Sequence, residues 1–167
     1  MEIVTAKTED ISRILEIFQD ARNFMNSHGF TQWEEGYPNF QIVNADISAG
    51  ACYICREKKK IFSTFVFSDK EEPLYQNLMG GHWRLDEKYG VVHRVAVADE
   101  ARNQGFGNKI FNFIENTCKE QGIKQIRVDT HEENKPMKNL LEKFGFNYCG
   151  CFYKGNGDRR VAYDKII

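Results

Sequence analysis

The chain has 167 residues, of which 41% are hydrophobic and 28% charged, and its formal net charge is −1. A chain of this length fits one domain over residues 1–167 and can bury a core without metal or disulfide staples. The balance of 23 basic and 24 acidic residues gives no footprint for nucleic acid or an anionic membrane, and no apolar stretch is long enough to span a bilayer.

The five cysteines bear on the compartment and on metal binding. Their number is odd, and the first residues lack the basic and apolar pattern of a secretory signal, so we expect reduced thiols and a cytoplasmic protein. Cys52 and Cys55 have metal-like spacing, but residues three apart on a strand point to opposite faces. A four-sulfur site with Cys149 and Cys151, which share a face, is the alternative to our expectation of no metal.

The first half of the chain predicts one strand, two helices and a pair of strands. Apolar residues at helical spacing mark the helices, and alternating apolar residues mark the strands. In chain order these are a strand at 2–6, a helix from the N-cap Thr8 to about Gly29, a loop at 30–39, a helix over Phe40–Ile47, and strands over Ala51–Arg56 and Lys60–Ser68.

The second half alternates strands with helices after an irregular segment. The complete order β-α-α-β-β-β-α-β-α-β-β predicts an α/β chain with a single mixed sheet and helices on its faces. The elements are an irregular segment over Asp69–Tyr89, a strand over Val91–Ala98, a helix over Gly105–Gln121, a strand over Gln125–Thr130, a helix over Asn134–Phe144, and strands over Phe146–Tyr153 and Arg159–Lys165.

A glycine loop between a strand and a helix is the most informative part of the sequence. The strand that ends near Ala98 is followed by Arg102, Gly105 and Gly107, and the helix begins at once. Glycines let the backbone approach a ligand closely, and the unpaired amides at the start of a helix attract anions. Because Arg102 and Lys109 can add positive charge, the loop suits a pyrophosphate.

Three other interpretations compete for this loop. A P-loop would need Gly-x-x-x-x-Gly-Lys-Ser/Thr, which the chain does not contain. A dinucleotide-binding fingerprint would need a third glycine where Ile110 stands, although Asp129 ends the next strand at about the right distance for a ribose. A plain glycine turn before a helix would also give the spacing Gly105-x-Gly107.

The wider pattern resembles the GNAT superfamily of acetyltransferases. Arg102-x-x-Gly105-x-Gly107, behind the strand HRVAV, is similar to the pyrophosphate loop of that family. The later strand IRVDT, and Asn134 opening a helix that runs LLEKFGF, are similar to its second half. The resemblance covers nearly the whole chain in element order and implies the GNAT fold and an acetyl-CoA-dependent N-acetyltransferase.

The resemblance also implies a cofactor site along this strand and loop. The backbone of Val95, Ala96 and Val97 should run beside the pantetheine arm, and the amide of Val97 should polarise the thioester carbonyl. Asn134 should hydrogen-bond the cofactor near the same arm. No metal is implied, because the thioester is already activated. The pyrophosphate should be held near Arg102 by the amides of Gln104, Gly105, Phe106, Gly107 and Asn108.

The acid and the base of the reaction are less well defined. Many family members place a tyrosine in the last helix as the acid, where this chain has Leu140-Leu141. Tyr148 and Tyr153 on the following strand are substitute candidates, although a tyrosine in an apolar strand more often belongs to the core. His93 and His131 are candidate bases, and a structural role is the alternative for each of them.

Four aromatic residues in loops are candidates for the acceptor pocket, because aromatic side chains outside periodic core patterns often line ligand sites. They could instead cover an edge of the sheet or form a homodimer contact. These residues are Trp33, Tyr37, Tyr75 and Trp83.

We therefore predict direct acetyl transfer in a ternary complex to a small-molecule or peptide amine whose identity the sequence leaves open. A non-catalytic acyl-CoA-binding module is the alternative, since the helix tyrosine is missing. A dinucleotide-binding domain is a second rival. Neither nucleic acid nor a membrane is expected as a partner.

Overall fold

The computed structural model describes every residue from Met1 to Ile167, and the chain forms seven strands and four α-helices in the predicted order. None of the helices is both long and apolar enough to cross a membrane. The elements are β1 (Glu2–Thr5), α1 (Ile11–Ser27), α2 (Phe40–Ser48), β2 (Cys52–Glu57), β3 (Lys60–Ser68), β4 (Gly90–Val97), α3 (Phe106–Glu120), β5 (Gln125–His131), α4 (Lys135–Lys143), β6 (Asn147–Tyr153) and β7 (Arg159–Ile166).

Contacts within the chain define two units. The first consists of residues Met1–Phe67 and Arg94–Ile110, and the second of Ser68–His93 and Phe111–Ile167. Strand β4 contributes residues to both, and the hydrogen-bonded order of the strands is β1-β2-β3-β4-β5-β7-β6. The predicted α/β fold class with mixed strand pairing is confirmed, whereas a single domain over the whole chain stays a prediction.

The first unit contains three antiparallel strands and an amphipathic helix. β1 pairs with β2 and β2 with β3, with a register shift between Cys55 and Arg56. Helix α1 turns one apolar face inward because its apolar residues recur at helical spacing. Asn39 begins α2, since its side chain accepts a hydrogen bond from the amide of Ile42 at 3.0 Å. The buried residues of α1 are Ile11, Ile14, Ile17, Phe18, Ala21 and Met25.

In the second unit, β4 and β5 form the parallel pair and β5, β7 and β6 are antiparallel. The parallel ladder joins Gly90–Val92 to Ile126–Val128. The irregular segment over residues 69–89 contains one 3-10 turn, Pro73–Asn77, and packs its Tyr75 with the buried Val91 and Phe152. Tyr75 therefore belongs to the core of its unit, while most other residues of the segment stay exposed or half-buried.

The start of the first helix differs from the prediction. The sequence predicts Thr8 as the N-cap of α1, but residues Thr8–Asp10 form a short 3-10 helix and α1 begins at Ile11. The Asp10 carboxylate accepts a hydrogen bond from the amide of Lys7 at 2.8 Å. The turn is thus closed by an acidic side chain at its end, not by a hydroxyl at its start.

Phe111 tests the core of the second unit. Its side chain is fully buried, and its ring lies 5.6 Å from that of Phe144 and 5.3 Å from that of Phe146, between centroids. We expect Phe111→Ala to lower the free energy of unfolding by about 3–5 kcal/mol, because it removes buried area and leaves a cavity. Urea unfolding gives the measurement. Phe40→Ala, at a side chain 51% exposed, is the control, and equal losses in both variants would contradict the packing described.

Candidate active site

The loop between β4 and α3 has the geometry of an anion-binding nest. Asn103 and Gly105 both have left-handed backbone conformations, with φ of +60° and +78°. A Cβ at Gly105 would meet no atom within 4 Å, so the loop opens outward there. The helical ladder begins with the amide of Lys109, which donates to the carbonyl of Gly105 at 3.2 Å. The amides before Lys109 therefore lie at the positive end of the helix, where anions bind.

Arg102 anchors this loop within the first unit. Its guanidinium lies 4.1 Å from the centre of the Phe24 ring and donates to the Asp99 carboxylate and, at 3.0 Å, to the carbonyl of Asp20. The carbonyl of Glu100 accepts a hydrogen bond from the Gln104 side chain at 2.7 Å. These contacts fix the start of the loop, and the predicted contact of Arg102 with a cofactor stays a prediction.

Arg94 lies inside β4 but has a left-handed backbone conformation. Its φ is +50°, a region that costs a non-glycine residue about 1–2 kcal/mol. Its Nε and Nη2 donate to the Asp46 carboxylate at 3.0 and 2.7 Å, and its Nη1 donates to the Tyr37 hydroxyl at 3.1 Å. Burial lowers the pKa of Arg94, but Tyr37 and Asp46 together leave that pKa above its ordinary value, so the guanidinium stays charged.

Val95, Ala96 and Val97 follow Arg94 at the end of β4. Ala96 is 3% exposed, and the side chains of the two valines are half-buried. The amide of the next residue, Ala98, donates to the carbonyl of Phe62 at 2.8 Å. The predicted backbone roles of these residues toward a cofactor stay predictions.

His93 ends the part of β4 that belongs to the second unit, and it pairs with Glu72. Its Nε2 lies 3.3 Å from Glu72 Oε2, and both side chains are about a quarter exposed. The hydrogen bond from His93 lowers the pKa of Glu72. Burial raises this pKa, and the hydrogen bond from the amide of Leu74 lowers it further. A histidine beside a carboxylate that stays ionised is suited to accept a proton.

A buried carboxylate lies behind this pair in the same unit. Asp129 accepts hydrogen bonds from the Tyr75 hydroxyl and from Arg160 Nε, both at 2.8 Å. Burial alone would raise the pKa of Asp129, but the positive charge of Arg160, with His93 and Tyr75, holds that pKa below its ordinary value. Burial, and then Asp129, raise the pKa of Tyr75 well above its usual range, so the phenol stays protonated.

Two of the predicted acceptor aromatics, Tyr75 and Trp83, line one cleft of about 380 Å³ in the second unit. The indole of Trp83 donates to the carbonyl of Tyr75 at 3.0 Å, and the two rings are 5.0 Å apart. The guanidinium of Arg127 stacks on the rings of Trp83 and Tyr89, at 4.5 and 3.7 Å from their centres. The guanidinium of Arg127 thus covers the faces of these two rings.

The other two aromatics lie in the first unit and have different environments. Trp33 is 8% exposed and meets Phe18 edge to face at 5.4 Å, which favours a core role. Tyr37 is half-buried; its hydroxyl binds Arg94, and its carbonyl accepts a hydrogen bond from Arg22 Nη1 at 2.7 Å. The structure therefore does not gather the four residues into one cleft of one unit.

The remaining predicted residues fall in the second unit. Tyr148 and Tyr153 are 53% and 51% exposed on β6, so neither belongs to the core. Leu141, at the place where the resemblance would put a tyrosine, is fully buried in α4. Asn134 caps α4, because its side-chain oxygen accepts a hydrogen bond from the amide of Met137 at 3.2 Å. The roles predicted for the two tyrosines and for Asn134 toward substrates stay predictions.

All five cysteines are free thiols, and four of them are buried. Burial raises the pKa of Cys52 to about 11, despite a hydrogen bond with Thr64 that lowers it. Burial likewise raises the pKa of Cys118 to about 12 and that of Cys149 to about 12. No group of three or more His, Cys, Asp or Glu side chains has the arrangement of a metal site.

The most informative partners in these sites were not singled out from the sequence. Asp46 lies in a short helix and Arg160 on a strand, and the sequence predicts no functional role for either of them. Glu72 is one of several loop glutamates that could bind a cationic amine or simply face the solvent, and the sequence does not indicate His93 as its partner. Each partner is separated from the residue it binds by 21 or more positions, so local spacing carries no signal for the pair.

Comparison with known proteins identifies the family. The model of the acetyltransferase (GNAT) family matches residues 11–146. A GNAT-family acetyltransferase from Streptococcus agalactiae 2603 has a similar structure, with a TM-score of 0.88 and 30% identity over 99% of this chain and 95% of that one. The yncA protein of Salmonella typhimurium, solved with its cofactor acetyl-CoA, shares the fold, with a TM-score of 0.70 and 16% identity over 99% of this chain and 93% of that one.

Curated proteins match over shorter segments. GCN5-related N-acetyltransferase 6, chloroplastic, of Arabidopsis thaliana is 30% identical over 59 residues, which are 35% of this chain and 20% of that protein. The chain spans less than half the length of the curated relatives it matches.

The Asp129–Arg160 pair yields a prediction of pH-dependent stability. In the native chain the depressed pKa of Asp129 stabilises the fold above the ordinary carboxyl pKa, and this contribution is lost as the pH falls through the folded-state pKa. We expect Arg160→Gln to lower the free energy of unfolding by about 3–5 kcal/mol at neutral pH, because a buried carboxylate loses its cation. The pKa of Asp129 should then rise, so the stability deficit of the variant relative to the native chain should shrink as the pH falls toward 4.

Urea unfolding between pH 4 and 8 measures this effect, and Arg159→Gln is the matched control. Arg159 is the neighbouring residue on β7, and its ion pair with Glu132 is partly exposed to solvent. Exposed pairs contribute little to stability, so the control should unfold like the native chain at every pH. A loss in Arg160→Gln that does not vary with pH would contradict the role given to Asp129.

Proposed function

Because the chain belongs to the acetyltransferase (GNAT) family, we propose that it transfers the acetyl group of acetyl-CoA to a primary amine by direct attack in a ternary complex. The observation that carries this proposal is the nest between β4 and α3, with left-handed Asn103 and Gly105 before a 15-residue helix. Its backbone amides suit a pyrophosphate, which is the anionic group of CoA nearest to the pantetheine arm.

The cofactor is proposed to bind along the strand end and the loop that follows it. The amides of Gln104, Gly105, Phe106, Gly107 and Asn108 would bind the pyrophosphate, and the 95–97 backbone would lie along the pantetheine arm. The amide of Val97 would donate to the thioester oxygen, where negative charge develops as the amine attacks. Arg102 and Asn134 complete the predicted cofactor contacts.

His93 is proposed as the base. An ammonium must lose a proton before its nitrogen can attack the thioester carbon, and His93 stands two residues before Val95 on the same strand. Glu72 would stabilise the charged imidazole after it takes the proton. The exposed Tyr148 and Tyr153 are the candidates to protonate the departing thiolate of CoA, with solvent as the alternative.

The acceptor is proposed to be a small-molecule or peptide amine, for which Tyr37, Tyr75 and Trp83 are candidate contacts. A cytoplasmic location is proposed on the five unpaired thiols. A non-catalytic acyl-CoA-binding module is the second candidate, favoured by the buried Leu141 in place of the helix tyrosine. Acetyl transfer to any amine in a screened library would exclude this candidate.

Gly105→Glu tests the pyrophosphate loop. The new carboxylate would repel the pyrophosphate, and its side chain would be strained at a φ of +78°. We expect the affinity for acetyl-CoA and for CoA, measured by calorimetry, to fall at least about a hundredfold, since several charge-assisted hydrogen bonds are lost.

The control for this test is Gly50→Glu. Gly50 also has a left-handed φ, +68°, and open space around a Cβ, so the variant adds the same charge and a similar strain elsewhere. It should bind CoA like the native chain. Equal affinities for CoA in both variants, or a preference of the native chain for NAD, would exclude the proposed loop.

His93→Gln tests the base. We expect kcat to fall about a hundredfold or more, because proton removal by a positioned side chain typically contributes at least that factor. The acidic limb of the pH–rate profile should disappear, and the affinity for acetyl-CoA should stay within about threefold. If the variant keeps the kcat and the pH–rate profile of the native chain, His93 is excluded as the base. His28→Gln, at an exposed histidine of the first unit, is the control.

A further inference from the structure

We propose that Arg94 is a positioning residue for acetyl transfer. Its ion pair with Asp46 fixes Arg94 in the left-handed conformation, and this conformation sets the direction of the Val95–Val97 backbone. The inference rests on the proposed function, because only that function gives the Val95–Val97 backbone the role of binding the thioester. Arg94 itself need not touch either substrate.

The backbone of Arg94 is unusual for its place in the fold. The other non-glycine residues with positive φ are Lys58, in the turn between β2 and β3, and Asn103, in the loop after β4. Arg94 instead lies inside a strand, where extended backbone is the rule. Its position follows the last paired residue of the parallel ladder, Val92, by two, and it precedes the proposed oxyanion donor Val97 by three. A conformational change there redirects each residue that follows.

The side chain of Arg94 is held at every polar position. Three of its nitrogens donate to Asp46 and Tyr37, and the side chains of Arg94 and Asp46 are only 18% and 16% exposed. The partners are fixed in turn, because Asp46 lies in α2 and the carbonyl of Tyr37 accepts a hydrogen bond from Arg22 of α1. A planar guanidinium bound to two oxygens of one carboxylate has a defined orientation.

These two observations explain each other. A backbone conformation that is unfavourable for an L-residue persists only where its surroundings over-determine it, and the Asp46 and Tyr37 contacts supply that determination. Glycine would adopt the same φ without steric cost but would also adopt many others. An arginine that is bound on both sides of its guanidinium instead selects one conformation. The acetyl group would therefore meet a backbone amide that is already in place, as efficient oxyanion stabilisation requires.

The test combines Asp46→Asn, Arg94→Ala, Arg94→Gly and the double variant Arg94→Gly/Asp46→Asn. We expect Asp46→Asn and Arg94→Ala to lower kcat by about ten- to a hundredfold, while the affinity for CoA changes less than about threefold, because the pyrophosphate loop is intact. Arg94→Gly should recover part of the lost kcat, since glycine accepts the left-handed φ. In the glycine background, Asp46→Asn should cause no further loss.

Glu2→Gln serves as the control. Glu2 forms an ion pair with Arg56 in the same unit, and its side chain is 55% exposed. The substitution removes the carboxylate of that pair. It should leave kcat and CoA affinity unchanged. A native kcat in Asp46→Asn would overturn the inference. So would an equal loss of kcat when Asp46→Asn is made in the native chain and in the Arg94→Gly variant.

A second readout does not depend on turnover. Amide hydrogen exchange, followed by NMR, should become faster at Val95–Val97 in Asp46→Asn, while Gln104–Asn108 keep their native rates. If the native chain acetylates no amine but exchange at Val95–Val97 responds, the proposed function fails and the link from Asp46 to this backbone stands. If the native chain is active and neither kcat nor exchange responds, the inference fails and the proposed function stands.

Discussion

Backbone amides in a folded protein need hydrogen-bond partners. In strand β4 the first residues find theirs in the neighbouring strand β5, and the last residues do not. Its first residues, Gly90–Val92, pair with Ile126–Val128 in a parallel ladder. The left-handed Arg94 then changes the direction of the chain, and beyond it the proposed function gives the amides to a cofactor. The loop and helix α3 follow within a few residues. One positive φ therefore precedes every backbone group in the proposed cofactor loop and strand end, and the proposed positioning role of Arg94 depends on this order.

The order of strands and helices could be predicted because each element has a local pattern. Helix α1 repeats its apolar residues at helical spacing, and the glycine loop before α3 is a contiguous segment whose function depends on its own backbone. The same holds for the cap of α4 at Asn134, where the side chain and the amide it binds are three positions apart. In all these cases the residues that interact are close in sequence, so spacing alone contains the necessary information.

The side-chain pairs of the site could not be predicted, because their members are distant in sequence. Asp46 and Arg94 are 48 positions apart, and Asp129 and Arg160 are 31 apart. The aromatics show the same limit: Trp33, Tyr37 and Tyr75 have similar sequence surroundings, yet one packs on a core ring, one binds an arginine and one binds a buried carboxylate. Thr8 was misplaced for a local reason, since a hydroxyl before acidic residues fits both a cap and the 3-10 turn that forms.

The buried cysteines have a consequence for an enzyme whose proposed product is itself a thiol. Thiol–disulfide exchange requires a thiolate to attack, and at neutral pH a cysteine with a pKa of about 11 or 12, such as Cys52, Cys118 or Cys149, is ionised in about one molecule in ten thousand or fewer. These side chains are therefore poor partners for CoA or for its oxidised disulfide. If the proposed reaction holds, the burial that fills the core also shields those three sulfurs from the thiol that each turnover would release.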